Sequence, residues 1–229
     1  MARPPNESRC MIPQILPMTR ALLIANCAVF LLQMVLSDAL VAPFALWPIN
    51  LSGMEAGNSF MPWQLLTAGF MHGSFLHLAF NMLALWMFGS PLEAVWGEKR
   101  FLTYFLACVI GGNLCQLAVV TWMTGQGFPG YATLGASGGV YGLLLGFGML
   151  FPNQRMIIFP FPMEIRARTL VIIYGALAVF FAVTGTQSGV AHLAHLGGML
   201  FGWLLIRYWR GQPPFGKRRP PPPRMRIVK

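Results

Sequence analysis

All sixteen Lys and Arg residues fall in, or at the edges of, alternate gaps between six apolar stretches. The stretches run roughly over 20–38, 75–89, 101–123, 135–151, 168–185 and 190–208. Arg3, Arg9 and Arg20 precede the first; Lys99 and Arg100 divide the second from the third. Arg155, Arg166 and Arg168 divide the fourth from the fifth, and Arg207, Arg210 and a basic tail follow the sixth. The other three gaps hold none, although 39–74 is long. A bilayer core needs about 20 mostly apolar residues per helix, fewer where a span is short or thins the membrane. Basic residues near the spans stay on the cytoplasmic side. The pattern predicts an all-α membrane protein of six transmembrane helices with both termini cytoplasmic.

Composition agrees: 56% of the chain is hydrophobic and 10% charged, against about a quarter charged in soluble domains. The net charge of +10 raises nucleic acid as a partner, but no basic stripe with interleaved aromatics is present, which argues against one. Anionic lipid headgroups near the basic loops and tail fit the charge better. Cys10, Cys27, Cys108 and Cys115 form no CxxC pair or His-flanked set, so neither a disulfide framework nor a structural zinc site is expected. The expected organisation is a cytoplasmic tail over 1–19, a membrane domain over 20–210 and a tail over 211–229. The N-terminus lacks an early apolar core and a small-residue cleavage site, so the first span is expected to act as its own insertion signal. The interval 39–74 is too apolar for a solvated loop and too broken by Pro and Gly for a span. It reads as an interfacial loop at the outer face, with Trp47 and Trp63 at headgroup level. The tail GQPPFGKRRPPPPRMRIVK is too rich in proline and charge for a packed core. It is expected to be disordered, whether merely solvated or touching anionic lipid.

Spans two, four and six all begin at the outer face, and each carries polar residues near its start. His77 and Asn81 are four apart and share a helix face, as do Ser137 and Tyr141. His195 lies near the start of span six, with His192 one turn earlier. A polar side chain in hydrocarbon costs several kcal/mol unless partnered, so these groups should converge. One alone would read as a packing residue; a set at one depth reads as a reaction centre. Span four carries Gly138, Gly142 and Gly146, and span six Ala194, Gly198 and Gly202. Such small-residue stripes let helix backbones approach closely. A close contact between spans four and six would bring His195 to the Ser137 hydroxyl, the minimum for an activated nucleophile.

No acid falls at that depth: Glu7, Asp38, Glu55, Glu93, Glu98 and Glu164 lie in tails, loops or span ends. A Ser–His dyad fits better than a triad, with the imidazole held by packing, Tyr141 being one candidate. The available oxyanion donors are the Asn81 amide, the His77 ring and the backbone N–H of Ser137 at its helix N-terminus. Gly135-Ala136-Ser137-Gly138-Gly139 also matches the G-x-S-x-G elbow of soluble hydrolases. That elbow needs a buried strand before it and an acid before the His, and TGQGFPGYAT is no such strand.

The chain resembles the rhomboid family of intramembrane serine proteases in its six-span form. The resemblance covers nearly all of 60–205. It rests on His72-Gly-Ser-Phe-Leu-His77 leading to Asn81, on Gly135-Ala-Ser137-Gly138 with Tyr141, and on Ala194-His195-Leu-Gly-Gly198 with Gly202. Glu93 and Gly97 look like the family's signature after span two. The resemblance implies Ser137 as nucleophile, His195 as general base, and His77, Asn81 and the Ser137 amide at the oxyanion. It also implies that Tyr141 supports the His195 ring and that His72 braces the outer loop. His192 matches no catalytic position and reads as a hydrogen-bonding neighbour. Where the family often carries Trp-Arg in that loop, this chain has Trp63-Gln64, which leaves open how the loop docks.

The expected activity is cleavage of transmembrane segments of other proteins by serine acyl transfer. The resemblance implies substrates with a small residue before the cut and an easily unwound helix, which would enter sideways, past span five and its Phe180–Phe181 pair. Water would come from the outer face, through 124–134 or the interfacial segment. No cofactor is implied. The main alternative is a non-catalytic relative that binds or escorts membrane clients; such relatives are expected to lack the Ser or the His, and both are present. A transporter or channel should show an inverted repeat, broken midplane helices or intramembrane charge, and none is visible. The short basic tails fit a prokaryotic plasma membrane.

Overall fold

A computed structural model of the chain describes residues 14–49, 59–158, 163–185 and 191–216. The N-terminal tail to residue 13, the middle of the interfacial interval (50–58) and the basic tail from 217 onward lie outside the described residues. The described chain is mostly helical, in the order α1 Pro17–Leu36, α2 Asp38–Phe44, α3 Gln64–Thr67, α4 Phe75–Gly125, α5 Ser137–Leu150, α6 Ala167–Thr184 and α7 His192–Trp209. By length and composition α1, α4 and α6 can each cross a membrane. Helix α5 is apolar but shorter: its 14 residues rise about 21 Å.

Helix α1 opens with Pro17 and has no capping side chain of its own. Its cap comes from α4. The buried Glu93 carboxylate accepts from the N–H of Met18 (2.9 Å), the N–H of Thr19 (2.7 Å) and the Thr19 hydroxyl (2.7 Å). An anion at a helix N-terminus satisfies orphan donors and opposes the macrodipole.

The described residues between α1 and α4 fold against the bundle. Leu46 and Thr133 exchange backbone hydrogen bonds at 2.9 and 2.8 Å, and α3 runs on into a 3₁₀ turn at Ala68–Phe70. Gln64 is fully buried. Its Oε1 accepts from the backbone N–H of Trp47 (3.2 Å) and of Met61 (3.1 Å). Its Nε2 donates to the carbonyls of Pro43 (3.3 Å) and Ser59 (3.4 Å). The neutral amide, with both donor and acceptor, thus ties three stretches of this segment together where a guanidinium could only donate.

Helix α4 starts at Ser74, whose hydroxyl accepts from the His77 N–H at 3.1 Å. It is helical well beyond residue 89, where the sequence ends its second apolar stretch. Helical geometry fails at Gly97 (φ 75, ψ 166), immediately before Glu98, Lys99 and Arg100. Apart from its chain neighbours and its own helix backbone, no atom of the described residues lies within 4 Å of where a Cβ would stand, so the glycine serves this left-handed backbone rather than close packing. A one-residue break therefore stands where the basic pair suggested a loop.

A second departure follows α5. Strands β1 Arg155–Ile158 and β2 Met163–Arg166 pair antiparallel, with Arg155 opposite Arg166, in a chain expected to be all α. The exposed Arg155–Glu164 ion pair (2.9 Å) joins them and adds at most about 1 kcal/mol. Strands of four residues are too short to announce themselves by periodicity.

The centre of the bundle is α4, α5 and α7, packed around Phe101, Tyr104, Phe105, Cys108 and Leu143. Its closest approach is backbone to backbone: a Cβ on Gly198 would overlap the Gly138 carbonyl, and one on Gly112 would overlap the Ala194 carbonyl. Cβ atoms on Gly142 or Gly202 would strike Cys108, and on Gly202 also Tyr104, whose hydroxyl donates to the Gly142 carbonyl at 2.8 Å. In lipid, where apolar surface gains little by leaving solvent, such contact and hydrogen bonding carry helix association.

Candidate active site

Ser137 is the first residue of α5, so its backbone N–H is among those a helix leaves unspent. His195 lies in the first turn of α7. With only glycine between the two helix starts, Nε2 of His195 lies 2.8 Å from Oγ of Ser137. That is hydrogen-bond distance. When Nε2 accepts from the hydroxyl, the neutral ring carries its proton on Nδ1. Nδ1 is buried and has no hydrogen-bond partner among the described residues. Packing orients the ring instead: it stacks on Tyr141, centroids 4.1 Å apart and planes inclined by 4°.

His77 and Asn81 come from the N-terminal end of α4. Asn81 is buried and donates through Nδ2 to the His77 carbonyl at 3.0 Å, using one of its two amide hydrogens. The His77 ring lies against Gly135, where a Cβ would come within 2.7 and 2.9 Å of its Cε1 and Nε2. The Gly135 N–H is held by the Ala68 carbonyl at 2.9 Å, so the chain entering α5 is pinned between the interfacial turn and His77. His77, Asn81, Ser137, Tyr141 and His195 all line one cavity of about 750 Å³. Its lower walls are apolar, with Phe88, Leu144, Met156 and Leu170. The cavity therefore reaches from the start of α5 to the hairpin beyond its end.

His72 is buried, with its ring edge-on to His77 at 5.1 Å. Its main chain is clasped by Gln33 of α1, whose Oε1 accepts from the His72 N–H (2.9 Å) and whose Nε2 donates to its carbonyl (3.3 Å). Burial, and then the neighbouring His77, push the His72 imidazole down to about 4. Within residues 42–67 the chain is joined to itself by Gln64, by Trp63 Nε1 donating to the Pro43 carbonyl (2.8 Å) and by the Thr67 hydroxyl donating to the Phe44 carbonyl (2.7 Å). His192 makes ring contacts: it stacks on Phe181 of α6 (5.3 Å, 29°) and meets His195 edge-on (5.9 Å, 86°). Its Nε2 has no hydrogen-bond partner among the described residues. Gln33 and Gly112 drew no attention in the sequence; Gln33 gives no local signal, whereas Gly111-Gly112 inside an apolar stretch is the kind that marks close packing.

Fold and site together define a helical integral membrane protein with a serine and a histidine in contact inside its bundle. Residues 59–211 match the Rhomboid domain, and the chain belongs to the rhomboid family. It is 32% identical over 163 residues to Rhomboid protein 1, mitochondrial, of Saccharomyces cerevisiae, covering 63% of this chain and 42% of that protein. It is 33% identical over 141 residues to Rhomboid protease GluP of Bacillus subtilis, covering 62% of this chain and 25% of the relative. Rhomboid protease GlpG of Yersinia pestis is 24% identical over 196 residues, covering 84% of this chain and 62% of the relative. The chain thus spans less than two thirds of the length of each.

Proposed function

We propose that this chain is a six-span intramembrane serine endopeptidase that cleaves transmembrane segments of other membrane proteins. The observation that carries the reading is the 2.8 Å contact between Ser137 Oγ and His195 Nε2 at one end of a largely apolar cavity; two relatives named as rhomboid proteases support it. The membrane domain covers 20–210, both tails are cytoplasmic and the dyad opens toward the outer face. Anionic lipid meets the basic loops and tail. The proposed location is a prokaryotic plasma membrane, within a family that also counts a mitochondrial protein.

In the reaction, Ser137 Oγ attacks the scissile carbonyl while His195 Nε2 takes its proton. The oxyanion collects donors from the Ser137 amide, Asn81 and His77; one such donor is typically worth about 3–4 kcal/mol in the transition state. The imidazolium returns its proton to the leaving amine as the peptide bond breaks. Water from the outer face, activated by His195 in the same way, then hydrolyses the acyl-enzyme. A small residue before the cut and a weak helix let the segment unwind into the cavity.

The test is reconstitution in liposomes with a single-span reporter whose outer end carries small and helix-destabilising residues. New termini mapped within the spanning segment near the outer face are expected. A reporter that is captured but never cut, by protein shown to be folded, would instead indicate a client-binding relative.

A further inference from the structure

We infer that α6 positions the general base, through Tyr174 and Phe181. The inference rests on the acyl-transfer reading above and adds two residues to it. His195 is held by two rings: Tyr141 against its face and His192 edge-on. Each of these rings is met in turn by a ring of α6. Tyr174 meets Tyr141 at 6.1 Å and 70°, and Phe181 meets His192 at 5.3 Å and 29°. Tyr174 and Phe181 are seven residues apart, two turns along one face. That face also carries Ala167, Leu170 and Ala178, the buried residues of α6. The face of α6 that carries its buried residues therefore meets both props of the imidazole, through Tyr174, itself 38% exposed, and Phe181.

Helix α6 is also lightly held. Ile172 (68% exposed), Val179 (49%) and Val183 (80%) face outward, and lipid gives apolar side chains little reason to prefer protein. Tyr174 and Leu170 border the cavity that contains Ser137, so a segment arriving between α4 and α6 meets this helix first. Moving α6 aside withdraws Tyr174 and Phe181 together and frees both rings that fix His195. The base is fully oriented only when α6 is docked, which couples lateral opening to catalytic competence.

The experiment is the second-order rate at which a soluble fluorophosphonate probe labels Ser137, since a small probe reports on the dyad without a transmembrane substrate. One aromatic contact biases a ring's placement by about two- to tenfold. Tyr174→Leu and Phe181→Leu should each slow labelling by about that factor, and the double variant by more. Tyr174→Phe, which keeps the ring edge, should label at the wild-type rate, and so should Ile172→Leu on the outward face. On a membrane substrate the leucine variants should lose kcat with no rise in KM. Melting temperatures identify any variant that has merely loosened, and Tyr174→Phe carries the ring argument independently of that risk. Unchanged labelling in the folded double variant, or an effect confined to KM, would make α6 a gate alone and overturn the inference. A wild-type protein that is folded but does not label would overturn the acyl-transfer reading itself, and this inference with it.

Discussion

The imidazole of His195 lies flat on the phenol ring of Tyr141, 4.1 Å between centroids and 4° from parallel. With Nδ1 unpartnered among the described residues, this stack takes, in the proposed dyad, the part a carboxylate takes in a triad: it fixes the ring's orientation. Tyr141→Phe, which keeps the stack, should retain most of kcat. Tyr141→Ala should lose at least about tenfold, the range expected when a misplaced group must find its geometry afresh. Steady-state cleavage by the two variants checks this, and an alanine variant at wild-type kcat would remove Tyr141 from the positioning of the base.

In the proposed reaction Asn81 shares the oxyanion with His77 and the Ser137 amide. Loss of a single donor from a hydrolase oxyanion site costs about 10²–10³ in kcat, and here two other donors remain. Asn81→Ala should therefore reduce kcat by less than that, about 10- to 100-fold, while Ser137 still reacts with a fluorophosphonate. An unchanged kcat would take Asn81 out of the oxyanion set.

Glu93 caps α1 rather than taking part in the proposed chemistry. Its carboxylate accepts three hydrogen bonds from the start of α1, and hydrogen bonds to a charged group contribute about 1.5–3 kcal/mol each before the geometry is shared. Glu93→Ala should cost about 3 kcal/mol of stability, with Glu93→Gln recovering part of it as a neutral acceptor. Unfolding in mixed micelles measures this, and an alanine variant as stable as the parent would contradict the capping role.

His72 gives the fold a pH dependence of predictable sign. Its imidazole titrates near 4 in the folded protein against an ordinary value of 6.5, so the unfolded chain binds the extra proton between those values. Stability from this residue is fully present above about 6.5, falls as the pH drops toward 4, and levels off below. In His72→Phe, which keeps an aromatic ring beside His77, the decline of melting temperature over that window should be shallower. An identical slope in both proteins would place the titration elsewhere.

What the sequence reveals, and what it hides, follows from the range of each interaction. Ser137 and His195 can be paired from the sequence because Gly138 and Gly198 leave the two helices no side chain to keep them apart, a pattern written locally in each helix. The same holds for Asn81 and His77, one turn apart. The cap on α1 is invisible, since Thr19 and its acceptor Glu93 are 74 residues apart and neither local pattern names the other. Gln33 with His72 and Gln64 with Trp47 are hidden for the same reason. The break at Gly97 and the paired strands 155–158 and 163–166 were obscured differently. Basic residues mark where a chain leaves the membrane, not whether it does so as a loop, a broken helix or a pair of strands.

The most direct measurement is fluorophosphonate labelling of purified, detergent-solubilised protein, comparing wild type with Ser137→Ala and His195→Ala. The expected result is a labelled wild type and no labelling in either variant, with all three equally folded, since in the proposed dyad the 2.8 Å contact between these side chains activates the serine. A His195→Ala protein that labels at the wild-type rate would contradict the dyad, and a folded wild type that does not label would contradict serine catalysis altogether.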